Sequence, residues 1–138
     1  MFLLDTNVVS ELRKVGSGKA DARVVTWAQS VDTAALYLSA ISILELELGV
    51  LQIERRDPAQ GALLRAWLDG QVAPAFVGRI LAVDANVARL CARLHVPDPR
   101  AERDALIAAT ALTHGMIVVT RNTADFDATG VVLLDPWR

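Results

Sequence analysis

The chain has 138 residues, 53% of them hydrophobic, which suits one compact domain with its own core and leaves little for a second. Mean hydropathy is +0.34, yet no apolar run approaches the roughly 20 residues that span a bilayer, so a membrane protein is excluded. A formal charge of -2 and a pI near 5.6 give no global reason to bind nucleic acid, so such binding has to be local, through a patch or a metal site.

Met1 leads into Phe2-Leu3-Leu4, a short buried strand, with no basic leader or cleavage site, the pattern of a cytoplasmic protein. The strand ends at Asp5, and Asn7 to Arg13 has helical spacing through Val8, Val9 and Leu12. Lys14 to Lys19 is a loop by its glycines, and Gly16-Ser17-Gly18 lacks the spacing of a phosphate-binding loop. Asp21 starts an amphipathic helix running to Gln29. Ala35 to Ala40 is a second buried strand.

Ser42 opens a helix through about Glu54, with Glu45 at capping-box spacing, and Pro58 after Asp57 opens another towards Gly70. The two form a hairpin. Arg79 to Val83 is a third strand, and Asp84 caps a helix carrying Val87, Leu90, Cys91 and Leu94. Cys91, the only cysteine, excludes an internal disulfide and reads as a small buried apolar residue.

Pro97-Asp98-Pro99 interrupts before a nearly all-apolar helix from about Glu102 to His114, which Gly115 ends. Met116 to Val119 and Val131 to Leu134 are the fourth and fifth strands. Short, wholly apolar strands separated by helices predict a single α/β domain over residues 1–138, with a parallel sheet covered on both faces. Ligands of such sheets collect at the carboxyl ends of the strands.

Four acids fall at that edge: Asp5, Glu45, Asp104 and Asp125. Each alone is better explained by helix capping: Asp5 as an N-cap, Glu45 in a box with Ser42, Asp104 at the mouth of a buried helix, Asp125 in a cap by Asn122. Glu47, two residues on, points elsewhere and reads as a solvated charge. Together, clustered carboxylates repel and call for a hard cation, Mg²⁺ or Mn²⁺. Such a site activates water against a phosphodiester.

Thr6, Asn7, Ser42, Thr120 and Asn122 are placed to hold the acids or metal waters. Arg13, Lys14, Lys19 and Arg23, with Arg100 and Arg103 beside Asp104, offer local contacts for RNA phosphates. His95 and His114 lie near helix ends, outside any ligand-spaced pair, and are not read as catalytic. The apolar content leaves room for an exposed face that pairs with another subunit or a partner helix.

Leu-Leu-Asp-Thr-Asn at the start, Ser42 to Glu45-Leu46 followed by Gly49, Asp104-Ala-Leu-Ile-Ala-Ala-Thr-Ala, and Val-Thr-Arg-Asn-x-x-Asp-Phe together resemble the PIN-domain family. Within it the chain is similar to toxin–antitoxin ribonucleases of the VapC or FitB type. The ordered set spans Asp5 to Asp125. The resemblance implies a three-layer α/β/α sandwich, metal-binding acids at Asp5, Glu45, Asp104 and Asp125, endonucleolytic cleavage of RNA, a homodimer, and a cognate antitoxin that inserts a segment near the active site. Asp98, Glu102 and Asp127 lie close to the third and fourth acids and are candidate supplements.

A HAD-like phosphohydrolase also places an Asp after its first strand, but needs a second Asp where this chain has Asn7. The non-enzymatic alternatives are a catalytically silent PIN-like binding domain and a receiver-like one, but a receiver needs a phospho-accepting Asp after a middle strand and a late lysine, and no lysine follows Lys19.

Overall fold

The computed structural model describes all residues from Met1 to Arg138. Its centre is a five-stranded, wholly parallel sheet in the order β3-β2-β1-β4-β5. The strands are short: β1 Phe2–Leu4, β2 Leu36–Ser39, β3 Ile80–Leu81, β4 Ile117–Val119 and β5 Leu133–Leu134. Side chains alternate between faces along a strand, and in β1 this sends Leu4 to one core and Leu3 to another.

Leu4, Leu36, Leu38 and Val119 form the first core, with residues of α1 (Thr6–Leu12), α2 (Ala22–Ser30), α3 (Ala40–Arg56) and the segment after α4 (Pro58–Trp67). Leu3 and Val118 on the opposite face pack against Ile107, Ala108 and Ala111 of α7 (Glu102–His114). Outside α7 lies α6 (Ala85–Leu94), through Val87 and Cys91 against Ala105 and Ala109. The result is the expected three-layer α/β/α sandwich. Small residues on α7 let it sit closely between the sheet and α6.

Several local expectations hold. Asp84 accepts from the Val87 amide, Asp57 precedes Pro58 as an N-cap, and Gly115 closes α7 in the left-handed conformation at φ 66°. That backbone geometry costs little only for glycine. In the α3–α4 hairpin, a Cβ on Gly61 would lie 2.4 Å from the Glu54 Cα, so glycine sets how closely the helices approach.

Others are corrected. Helix α3 starts at Ala40, not Ser42: Ser39 ends β2 in extended backbone and its Oγ accepts from the Ile41 amide. The Ser42–Glu45 capping box therefore does not exist. Ser42 is buried within the first turn with an unpartnered hydroxyl, and Glu45 moves into the second turn. Glu47 is not merely solvated, because Arg65 of α4 donates to both its oxygens at 2.9 and 2.5 Å.

The Lys14 loop begins as a 3-10 turn over Arg13–Ser17, which continues α1 without a break. The helix from Pro58 does not stop near Gly70, but passes through a π turn, Leu68–Val72, into the short α5, Ala73–Ala75. The wider turn points Leu68 and Val72 into the first core. No helix is long and apolar enough to cross a membrane.

Candidate active site

The chain runs outward from β1 to β2 and β3, then returns to the other side of β1 for β4 and β5. The strand order reverses between β1 and β4, where the loops at the carboxyl ends diverge and leave a crevice. Asp5 follows β1 there and Thr120 follows β4. Both are buried, and the Thr120 hydroxyl donates to Asp5 Oδ2 at 2.8 Å.

Around this pair the backbone and side chains interlock. The other oxygen of Asp5 accepts from the Thr6 amide at 2.8 Å, which caps α1. Asn7 Nδ2 donates to Thr120 Oγ1 at 3.3 Å and to Asp5 Oδ2 at 3.4 Å, and the Asn122 amide donates to Thr120 Oγ1 at 3.0 Å. One threonine hydroxyl thus joins the ends of two strands and the following turn. Asn122 contributes its backbone, not the side-chain cap expected of it.

The other acids reach the same place from different layers. Glu45 comes from α3 and accepts the Thr6 hydroxyl on Oε1 at 2.7 Å. Asp104 comes from the first turn of α7, and Asp125 from the 3-10 turn Thr123–Phe126 after β4. Asp5, Glu45, Asp104 and Asp125 line one cleft of about 430 Å³ that has no hydrophobic wall residue. Thr6, Asn7 and Asn122 line it too, while Ser42 and the proposed supplements Asp98, Glu102 and Asp127 do not.

Their proximity has an electrostatic signature. Burial pushes the Asp104 carboxyl up to about 6, and the charges of Asp125, Asp5 and Glu45 push the same way. Asp5 is also raised, chiefly by burial and further by Glu45 and Asp125, while the bonds from Thr120 and Thr6 hold it down. An oxygen-only set of crowded carboxylates, two of them resisting ionisation, fits a hard divalent cation.

Sequence reading missed Ser10 and Glu11, which also line the cleft beside Lys14, one of the basic residues expected to meet RNA phosphates. The signal was present: Asn7, Ser10 and Glu11 fall on one face of α1, continued by Lys14 in the 3-10 turn, opposite inward Val8, Val9 and Leu12. Glu11 accepts from Lys14 Nζ at 3.1 Å and from the Asp21 amide at 2.8 Å, so it ties the cleft wall to the start of α2.

A second cluster lies apart from the cleft. Donor atoms of Cys91, His95 and Glu102 fall within 4.8 Å of one another, and Cys91 of α6 stands four residues before His95, the C-cap of that helix, so His95 does sit in a ligand-spaced pair, contrary to expectation. The Arg100 amide donates to His95 Nδ1 at 3.1 Å, so the proton of the neutral ring sits on Nε2, 3.2 Å from Glu102 Oε2. With the Cys91 thiol donating to Glu102 Oε1, the three satisfy one another. They clasp α6 to the start of α7. Burial and Glu102 push the Cys91 thiol up, which fits an inert structural cysteine.

The model of the PIN domain family matches residues 2–132. A VapC ribonuclease of Sinorhizobium fredii is 37% identical over 145 residues, covering 100% of this chain and 99% of the relative. The toxin FitB of Neisseria gonorrhoeae is 37% identical over 143 residues with the same coverage. The crystal structure of FitAcB from Neisseria gonorrhoeae superposes with a TM-score of 0.90 at 37% identity, covering 100% of this chain and 99% of that one. Toxin–antitoxin complexes of lower identity, from Klebsiella pneumoniae and Salmonella typhimurium, share the fold at TM-scores of 0.66 and 0.70. With the family pattern matched over nearly its whole length, and the sandwich and acidic cleft in place, this chain belongs to the PIN domain family.

Proposed function

We propose that this chain is a Mg²⁺- or Mn²⁺-dependent endoribonuclease, the toxin of a toxin–antitoxin module, restrained by a cognate antitoxin. The observation that carries this reading is the convergence of Asp5, Glu45, Asp104 and Asp125 on one polar cleft at the sheet's switch point. Full-length similarity to proteins named ribonuclease and toxin supports the reaction, and the likeness to the FitAB assembly bound to DNA, at 36% identity, supports an antitoxin partner. A homodimer and a cytoplasmic location complete the proposal.

Asp5, Glu45, Asp104 and Asp125 would hold the ion. When bound, it would lower the pKa of a coordinated water and neutralise charge developing on the phosphodiester. The remaining work belongs to the chain. Thr120 and the Thr6 amide orient the Asp5 carboxylate and favour its charged form. The Thr6 hydroxyl fixes the rotamer of Glu45. The walls of Asn7, Ser10 and Asn122 present hydrogen-bonding groups to a polar strand, and Lys14 supplies a positive charge at the rim. A HAD-like reading is disfavoured by Asn7, whose amide is spent on Thr120 and Asp5.

Expressed alone in a bacterial host, the wild-type chain arrests growth, and total RNA from those cells carries new internal cleavages. The Asp5→Asn variant, expressed to the same level, leaves growth and RNA intact. Equal arrest by the variant would contradict the proposal.

A further inference from the structure

Among the basic side chains around the cleft, Lys14 is bound to Glu11, whereas Arg103 reaches one of the four acids. Its Nη1 lies 3.7 Å from Glu45 Oε2. The other oxygen of Glu45, Oε1, accepts the Thr6 hydroxyl at 2.7 Å. Both oxygens are therefore engaged by the chain, but in different ways. The hydroxyl bond is short, and a carboxylate oxygen that accepts it keeps a lone pair for a cation. The guanidinium contact is long, its side chain is 51% exposed, and a second cation at the same oxygen would repel it.

Half-exposed ion pairs are weak, while a divalent ion gathered by several carboxylates is held strongly. A metal ion at Oε2 would therefore displace Arg103. The backbone of Arg103 stays where it is, because it belongs to the first turn of α7, anchored below by buried Ala105 and Ile107. Arg103 makes no other ion pair. Its side chain is left free at the mouth of the cleft, one residue from Asp104.

We propose that Arg103 and the divalent ion are alternative partners of Glu45 Oε2, and that the displaced guanidinium is a phosphate contact for the RNA strand. A planar fork of N–H donors suits two oxygens of one phosphate. This rests on the reading of the four acids as the metal site. Its consequence is coupling: the metal frees a contact for RNA, and RNA that captures Arg103 frees an oxygen for the metal, each raising the affinity of the other by the same factor.

The test is binding, not turnover. Mn²⁺ is titrated calorimetrically into the wild-type, Arg103→Gln and Glu45→Gln chains. A labelled single-stranded RNA oligonucleotide is then bound to the first two, followed by fluorescence anisotropy in EDTA and in Ca²⁺, with the RNA checked for intactness on a gel. Arg103→Gln is expected to bind Mn²⁺ about threefold or more tightly, because a competing cation is gone. Its RNA affinity should fall about fivefold or more in Ca²⁺ and change less than about twofold in EDTA. Unchanged or weaker Mn²⁺ binding by Arg103→Gln, or an equal loss of RNA affinity in both conditions, overturns the proposal. Glu45→Gln separates the two levels. If it binds Mn²⁺ as wild type does, the metal-site reading itself fails. If it loses Mn²⁺ while Arg103→Gln matches wild type, only the role of Arg103 fails.

Discussion

At Asp5 opposing effects meet: burial and neighbouring acids raise the carboxyl, and the Thr120 hydroxyl is the largest influence pulling it down. Replacing Thr120 by Val keeps the shape and deletes that bond. The acid limb of the pH–rate profile should move to higher pH, with activity at pH 7 falling roughly 10–100-fold, as for other groups that orient a metal ligand. Thr120→Ser restores both. A uniform loss with no shift of the limb would assign Thr120 a packing role only.

Asp104 gives a prediction of stability. Its carboxyl titrates at about 6 in the fold against 3.8 for the ordinary group. Below pH 3.8 folded and unfolded chains both hold the proton. As pH rises through 6 the folded chain holds it longer than the unfolded one, so stability is lost over that window. In EDTA, Asp104→Asn should match wild type near pH 4. At pH 7 it should melt roughly 3–5 °C higher, a gain of about 1 kcal/mol after discounting for solvent contact. Thermal melts at the two pH values check this.

At this scale the four acids were legible because each stands in a recognisable motif, but their surroundings were not. Two serines three residues apart, Ser39 and Ser42, each make a plausible helix start. Which one caps α3 depends on where β2 ends, and that is decided by pairing with β1 and β3 rather than by local sequence. The contacts of Glu45 with Thr6 and Arg103 depend on that register and stayed hidden with it.

Among the elements, the α3–α4 hairpin is held by Gly61 against Glu54 and by Arg65 bonding Glu47 and Glu54. A methyl group at Gly61 meets backbone, which cannot yield without moving a helix. Gly61→Ala should therefore destabilise the fold by about 1–3 kcal/mol, read as a lower urea midpoint at unchanged slope. Gly70→Ala, where nothing lies within 4 Å, is the control. The strand cores and the Asp84, Asp57 and Gly115 boundaries were legible because caps and β-rich apolar runs have local causes. The π turn at Leu68–Val72 was not, since an extra residue in a turn follows from which side chains must reach the core.

For the whole molecule, five short apolar strands between helices were enough to predict a parallel sheet covered on both faces. They were not enough to order it. The order, and with it the switch point between β1 and β4, places Asp5 beside Thr120 although 115 residues separate them. Gathering four carboxylates in one cleft, with Asp5 buried, favours a bound cation, so Mg²⁺ binding should stabilise the fold by mass action. The Tm of the wild type should rise with Mg²⁺ concentration, and that of a chain carrying both Asp5→Asn and Asp104→Asn should not.

Most direct is RNA cleavage by the purified chain, followed on a single-stranded RNA with Mg²⁺, with EDTA, and with EDTA then excess Mn²⁺. The wild type should cut internal bonds with Mg²⁺, stop in EDTA and recover with Mn²⁺, while Asp5→Asn and Asp104→Asn lose about 100-fold or more of the rate. Undiminished cleavage in EDTA, or by either variant, would contradict the assignment of the four carboxylates as the metal-holding centre.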